Sequence, residues 1–181
     1  MTAETLAAAV LSWMTLILPP ERYAAVQTYP EAHETAEERA ARYQAIAADV
    51  AQVVLEEVAE PSARRPMAAL LTAVAIRESG LAKDVDAPSC APARVARGGC
   101  DGGRAKSLWQ VHGPAPESRQ DAARAALRLV RRSLHTCRRL PRGEQLSAYA
   151  AGTCTSTAGR RISRDRFDLA RRLLAAPTPT P

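Results

Sequence analysis

The chain has 181 residues, 46% apolar and 24% charged, a globular composition with room for one ordinary domain and not for two large ones. Thirty-eight alanines against a single phenylalanine, with few alternating β-branched runs, favour helices and exclude an all-β sandwich. The net charge of +6 hides an asymmetry: residues 1–60 carry three basic and ten acidic residues (−7), residues 61–181 carry 22 and nine (+13), which suggests an anionic partner for the second part, whether nucleic acid, acidic lipid or cell-envelope polymer.

The mainly apolar run from Leu6 to Leu18 is thirteen residues long, short of the ~18 needed to span a bilayer, so no transmembrane segment is expected. Its length suits a signal-peptide core, yet Glu4 stands where a basic region belongs and Pro19-Pro20-Glu21 offers no small-residue cleavage pattern. It reads first as a domain helix over Thr2 to Leu18, stopped by the proline pair, and second as an export or anchoring segment. After a loop with Pro30, Thr35 and Glu38 form a capping box ahead of Tyr43, Ile46, Val50, Val53 and Val54 at helical spacing, and that helix should end near Glu60-Pro61. A third helix opens around Ser62 to Pro66, sets Met67, Leu70, Leu71 and Val74 on one stripe, and stops at Gly80. Glu78 falls at the end of that apolar face and at the negative end of the helix dipole, two settings that work against a charged acid.

Pro88, Pro92, Gly98-Gly99, Gly102-Gly103 and Gly113-Pro114-Ala115-Pro116 make residues 81–118 the irregular region. A strong helix then starts at about Ser118, with Ala123, Leu127, Val130, Leu134 and Cys137 as its seam and Arg124, Arg128, Arg131 and Arg138 beside it; Pro141 and Gly143 end it. A shorter helix carries Leu146 and Tyr149 up to Gly152. The last helix is signalled by Ser163 as N-cap, an Ile162–Phe167 staple, and Leu169, Leu173 and Leu174; Pro177 to Pro181 read as an extended tail. No internal repeat is present.

Cys90, Cys100, Cys137 and Cys154 make an even count without a C-x-x-C pair or a histidine at zinc-ligand spacing, so two disulfides are the better reading than a metal site. Of three connectivities, Cys90–Cys100 with Cys137–Cys154 is favoured because both close short loops, each constraining the unfolded chain by about 3 kcal/mol. Oxidised pairs imply an extracytoplasmic place of work, against the weak export signal; four reduced buried thiols are the alternative. Gly98 to Gly103 has the spacing of a phosphate-binding loop, but Arg104-Ala105 stands where Lys and Ser or Thr belong, and no cofactor pattern appears elsewhere. His33, His112 and His135 are scattered without a nucleophile motif.

Three short motifs remain, in order: Arg77-Glu78-Ser79-Gly80 at a helix end, Ser107-Leu108-Trp109-Gln110 about thirty residues on, then Ala148-Tyr149-Ala150-Ala151-Gly152. This ordered set resembles the lytic transglycosylases and goose-type lysozymes, whose pattern is a helix-terminal E-S-G, a G-L-M-Q-like segment and A-Y-N-A-G. Glu78, Ser79 and Gly80 match in full; Leu108, Gln110, Ala148, Tyr149, Ala151 and Gly152 match in part. Trp109 replaces the usual methionine, and Ala150 the asparagine, which removes a polar contact.

The resemblance spans residues 62–175 and implies a mainly α, lysozyme-like domain over 61–176 with an irregular, disulfide-stapled loop region, an extra N-terminal helical layer over 1–60, and a Pro/Thr tail. It further implies a peptidoglycan-cleaving enzyme in which Glu78 is the catalytic acid and base, Ser79, Ser107, Trp109, Gln110 and Tyr149 contact the sugar, and no metal or cofactor takes part. A glycosidic oxygen needs a proton on leaving, which is the work of such an acid. A hydrolase would require a second carboxylate, and Asp84, Asp86 and Asp101 sit in no motif, so the single-acid lyase that forms a 1,6-anhydro sugar is preferred. Competing readings are a hydrolase, a non-catalytic glycan binder, a Glu78 that merely pairs with a nearby arginine, and nucleic-acid binding by the arginine stripe; no DNA- or RNA-reading motif accompanies that stripe, so nucleic acid is not the expected partner.

Overall fold

The structure, a computed structural model, describes residues 1–23, 29–86 and 90–177. Pro88 and the tail beyond Pro177 lie outside the described residues. The chain is mainly helical. Among the described residues the helices are α1 (Ala3–Ile17), α2 (Pro20–Tyr23), α3 (Ala36–Glu57), α4 (Pro61–Ser79), α5 (Pro92–Ala96), α6 (Cys100–Gly103), α7 (Arg119–Thr136), α8 (Ser147–Ala151) and α9 (Thr157–Ala175). A two-stranded antiparallel hairpin, β1 (Ala105–Lys106) and β2 (Val111–His112), lies within the expected irregular region and pairs Ala105 with His112.

The helix ends follow from local chemistry. Thr2 caps α1 by accepting from the Thr5 amide at 3.2 Å, and the helix closes at Leu18, just before the proline pair. Thr35 and Glu38 exchange both capping-box bonds, at 3.1 and 2.8 Å. Ser118 caps α7. The expected N-cap of the last helix is corrected: α9 starts earlier, at a Ser156 cap, and Ser163 lies fully buried inside it. There the Ser163 hydroxyl donates to the Gly143 carbonyl at 2.6 Å and accepts from the Leu146 amide at 2.9 Å, so it caps the approach to α8 instead. Ile162 and Phe167 accordingly form no staple. Inside α9, a Cβ at Gly159 would meet Ser147 Oγ at 2.7 Å and Ala151 Cβ at 2.9 Å, so the missing side chain is what lets α8 and α9 touch.

The centre is α4. Its nine consecutive residues from Ala68 to Ile76 are all buried, so the expected single apolar stripe is corrected to an all-round buried helix. Alternating alanines let neighbours approach from every side: α1, α3, α7 and α9 all pack on it. One continuous core includes Leu6 and Trp13 of α1, Val50 of α3, Leu71 and Val74 of α4, Leu127 of α7 and Leu169 of α9. No helix among the described residues is long and apolar enough to cross a membrane.

Both disulfides form as Cys90–Cys100 and Cys137–Cys154, leaving no free thiol. The second ties the end of α7 to the loop that leads into α9.

The charge asymmetry is in part satisfied within the fold. On the α3–α7 seam, Asp49 pairs with Arg119 at 2.7 Å, Glu56 with Arg124 at 2.7 Å, and the Glu57 carbonyl accepts from Arg131 at 3.1 Å. Arg124 and the Gln52 amide hold the Glu56 carboxyl below the usual carboxylate range. The arginine stripe is therefore divided: Arg124 and Arg131 face acidic α3, whereas Arg128 and Arg138 remain exposed.

Two outcomes test this architecture. Cys137→Ser combined with Cys154→Ser, which opens a crosslink between residues 17 apart, should lower the unfolding free energy by about 3 kcal/mol; an unchanged urea midpoint would contradict it. Arg39, fully buried against Glu34, should cost about 3 kcal/mol or more on Arg39→Ala, since a buried charge loses a partner; the same urea titration reads it.

Candidate active site

The last turn of α4 is built from behind. Gly80 leaves the helix at φ 59°, and Leu81 follows at φ 53° although it carries a buried side chain. Leucine in this region is strained, and the strain is held by contacts. Arg39 Nη2 donates to the Gly80 carbonyl at 3.2 Å and Arg42 Nη2 to the Leu81 carbonyl at 2.8 Å. Arg39 also donates to Tyr43 Oη and pairs with Glu34; Arg42 grips Glu34 with two nitrogens and reaches Asp86, which Arg119 holds from the other side. For Arg42 and Arg119 burial favours loss of the proton, yet these carboxylates outweigh it and raise both guanidinium values.

On this turn Glu78 opens into a cavity of about 620 Å³. Its side chain is 21% exposed. Gln110 and Tyr149 line the same cavity, as do Ala148, Ala150, Ala151 and Gly152, so three stretches far apart in the chain converge on one space. Gln110 takes φ 49°, and its side-chain amide donates to the Ser107 carbonyl at 2.8 Å. Tyr149 Oη donates to the Trp109 carbonyl at 2.7 Å, and its amide donates to Ser133 Oγ at 2.9 Å, which pins α8 to α7. Burial first, and then the Glu78 carboxylate, push the Tyr149 phenol well above its usual range, so it stays a donor. No family model, curated protein or solved structure matches the chain. The functional reading therefore stands on this geometry and on the ordered motifs.

Three expected contact residues are placed elsewhere. Trp109 is fully buried and its indole donates to the Leu71 carbonyl at 3.0 Å; it braces the hairpin against α4 and does not wall the cavity. Ser107 is buried too, at φ 61°, and its carbonyl already accepts from Gln110 twice. Ser79 serves the helix end, donating to the Ala75 carbonyl and accepting from the Leu81 amide. At position 150 the alanine leaves an apolar stretch of wall.

Two cavity residues were not singled out as site residues from sequence. Arg166 of α9 pairs its Nη2 with Glu78 Oε1 at 2.5 Å, donates from Nη1 to the Ile162 carbonyl, and buries an Nε with no partner. The expected apolar seat for Glu78 is thereby corrected: a guanidinium stands against it. Next to it Arg77 pairs with Asp165 at 2.9 Å, so successive residues of α4 and α9 pair with crossed charge. The available signal was an arginine on the buried face of α9, shared with Ser163, Leu169 and Leu173. The other residue is Asp101, which lines the cavity from α6, a turn whose four residues all have positive φ. Arg104 binds Asp101 and holds its carboxyl below the usual range, and His112 Nε2 lies 3.2 Å away. Asp84 is bound by Arg94 and Asp86 by the arginine network; neither lines the cavity.

Tyr149 supplies a pH test. The unfolded phenol ionises near about 10 while the folded one does not, so above that pH the unfolded chain sheds a proton that the folded chain keeps. Stability is full below it and falls as pH rises. Tyr149→Phe should flatten that alkaline fall while lowering neutral stability by about 1 kcal/mol; urea titrations from pH 8 to 11, with Tyr43→Phe as the other buried phenol, read it.

Proposed function

We propose that this chain cleaves the glycan strands of peptidoglycan as a lytic transglycosylase, with Glu78 as its one acid and base. The observation that carries the reading is convergence: Glu78, Gln110 and Tyr149, from the three motifs that resemble that family, line one cavity. Glu78 would give its proton to the bridging oxygen between the muramyl and glucosaminyl sugars. The resulting carboxylate then takes the proton of the muramyl 6-hydroxyl as that oxygen closes on C1, which yields a 1,6-anhydro ring and regenerates the acid. The Tyr149 oxygen can still accept a bond, suited to an acetamido N–H, while its own proton is committed to the hairpin. The two disulfides support work in an oxidising compartment, outside the cytoplasm.

A hydrolytic course is the second reading, favoured by Asp101, the further carboxylate among the described residues that line the cavity. It would place water where the lyase uses the 6-hydroxyl.

Purified protein should clear a suspension of sacculi, and Glu78→Gln, which keeps an oxygen to accept from Arg166, should slow clearance by about 10²-fold or more while the protein stays folded by circular dichroism. Equal rates for the two proteins, or no cleavage by the parent chain, would refute the reading. Mass spectrometry of the released fragments separates the courses: anhydro ends mark the lyase, reducing ends the hydrolase.

A further inference from the structure

The single phenylalanine of the chain, Phe167, takes no part in a staple and lies away from the Glu78 cavity. It stands partly exposed in a second cavity, of about 660 Å³, that shares no lining residue with the first. We propose that this groove and the arginine loop beside it dock the chain on an anionic membrane, with the groove taking lipid acyl chains and the arginines the phosphate headgroups. The proposal holds or fails independently of what the Glu78 cavity does.

The groove lies where the start of α4, the end of α7 and the second half of α9 converge. Met67 and Leu70 of α4, Leu134 of α7, and Phe167 and Leu174 of α9 line it. Phe167 and Leu174 are two turns apart on one face of α9, and Met67 and Leu70 are one turn apart on α4. All but Leu70 remain partly exposed, so large apolar side chains from three helices share one uncovered surface.

Its charged lining is of one sign. Arg142 and Arg171 line the groove, and among the described residues no carboxylate does. Arg171 is shared with Asp168, but Arg142 and the nearby Arg139 have no partner among the described residues. Arg138 spends an N–H on the His135 carbonyl and keeps its charge. The next acid along the chain, Glu144, is already held by Arg164 and Arg160. Arg138, Arg139 and Arg142 therefore face solvent together, on a loop whose start is anchored by the Cys137–Cys154 bond. One free amphiphile would use one of these charges, whereas a layer of headgroups meets them all. The lining suits a peptide poorly. Gln145 Nε2 already donates to the Arg138 and Leu140 carbonyls, and the Gly143 carbonyl accepts from Ser163. An extended peptide would bring N–H groups that need acceptors there, and acyl chains bring none.

Sedimentation of the full chain with vesicles tests this, using phosphatidylcholine alone and an equal mixture of phosphatidylcholine and phosphatidylglycerol. The protein should bind the mixed vesicles and not the neutral ones. Arg142→Gln should lower the partition coefficient by about fivefold, the effect of one basic group at an anionic surface. Leu174→Ser should lower it by about tenfold through lost apolar burial. Phe167→Trp puts a reporter in the groove, since Trp13 and Trp109 are buried in the core; acyl chains brominated near the headgroup should quench the added emission. Binding to neither vesicle, binding to both alike, or anionic binding that shows no quenching or ignores Leu174→Ser would overturn the proposal. So would an added indole already shielded from iodide before vesicles are present, or a dimer that Leu174→Ser abolishes, because the groove would then be filled by this chain or by a second copy. Should Phe167→Trp fail to fold, the two vesicle types and the other variants decide alone.

Discussion

Two buried arginines behind the end of α4 set the geometry on which the cavity depends. Arg39 and Arg42 donate to the carbonyls of Gly80 and Leu81, the successive left-handed residues that turn the chain away from the helix just after Glu78. Buried ion pairs are poor sources of net stability, because desolvation offsets most of the attraction. Their worth here is geometric. An apolar replacement would fill the volume yet leave carbonyls at a helix end without donors, and nothing would hold a leucine at positive φ. Glu34 and Tyr43 keep the two guanidinium groups in place, and Asp86 and Arg119 carry the same network on to α7.

That network gives the acidic first sixty residues a structural purpose. Composition alone makes them a separate negative layer against a positive remainder. In the fold they provide the arginines behind α4, the carboxylates on the α3–α7 seam, and apolar faces that share one core with α4 and α9. They act as a buttress to the turn that presents Glu78. The surplus positive charge left on α7 and α9 is smaller than the residue count suggests, since much of it is already paired.

What was legible in the sequence was whatever local chemistry decides. The Thr35 cap, the helix starts near Thr2 and Ser118, the Gly80 and Gly152 stops, and the short-loop disulfides depend on residues within a few positions of one another, or on simple loop closure. The three motifs identified segments that do meet in space. What was not legible depends on partners far along the chain. Glu78 and Arg166 are 88 residues apart, and Trp109 turns inward because the Leu71 carbonyl lies 38 residues away in sequence and on its path. The role of Gly159 left no local mark, because it lies in the approach of α8. The periodicity of α4 underestimated its burial because alanine is small enough to face any neighbour and marks no side as the inner one.

The far wall of the cavity shows how strain and covalent closure act together. Cys100 to Gly103, Ser107 and Gln110 all adopt positive φ within eleven residues, four of them non-glycine. Such backbone persists only where surroundings over-determine it. Here the Cys90–Cys100 bond closes the turn, the short hairpin fixes its spacing, and Tyr149 and Trp109 tie the hairpin to α8 and α4. The wall that carries Asp101 and Gln110 is thus clamped from the cleft side by a tyrosine and from the core side by a tryptophan, while the opposite wall is set by the arginine network. Between these two fixed walls the Glu78–Arg166 pair joins the end of one helix to another through one nitrogen and one oxygen.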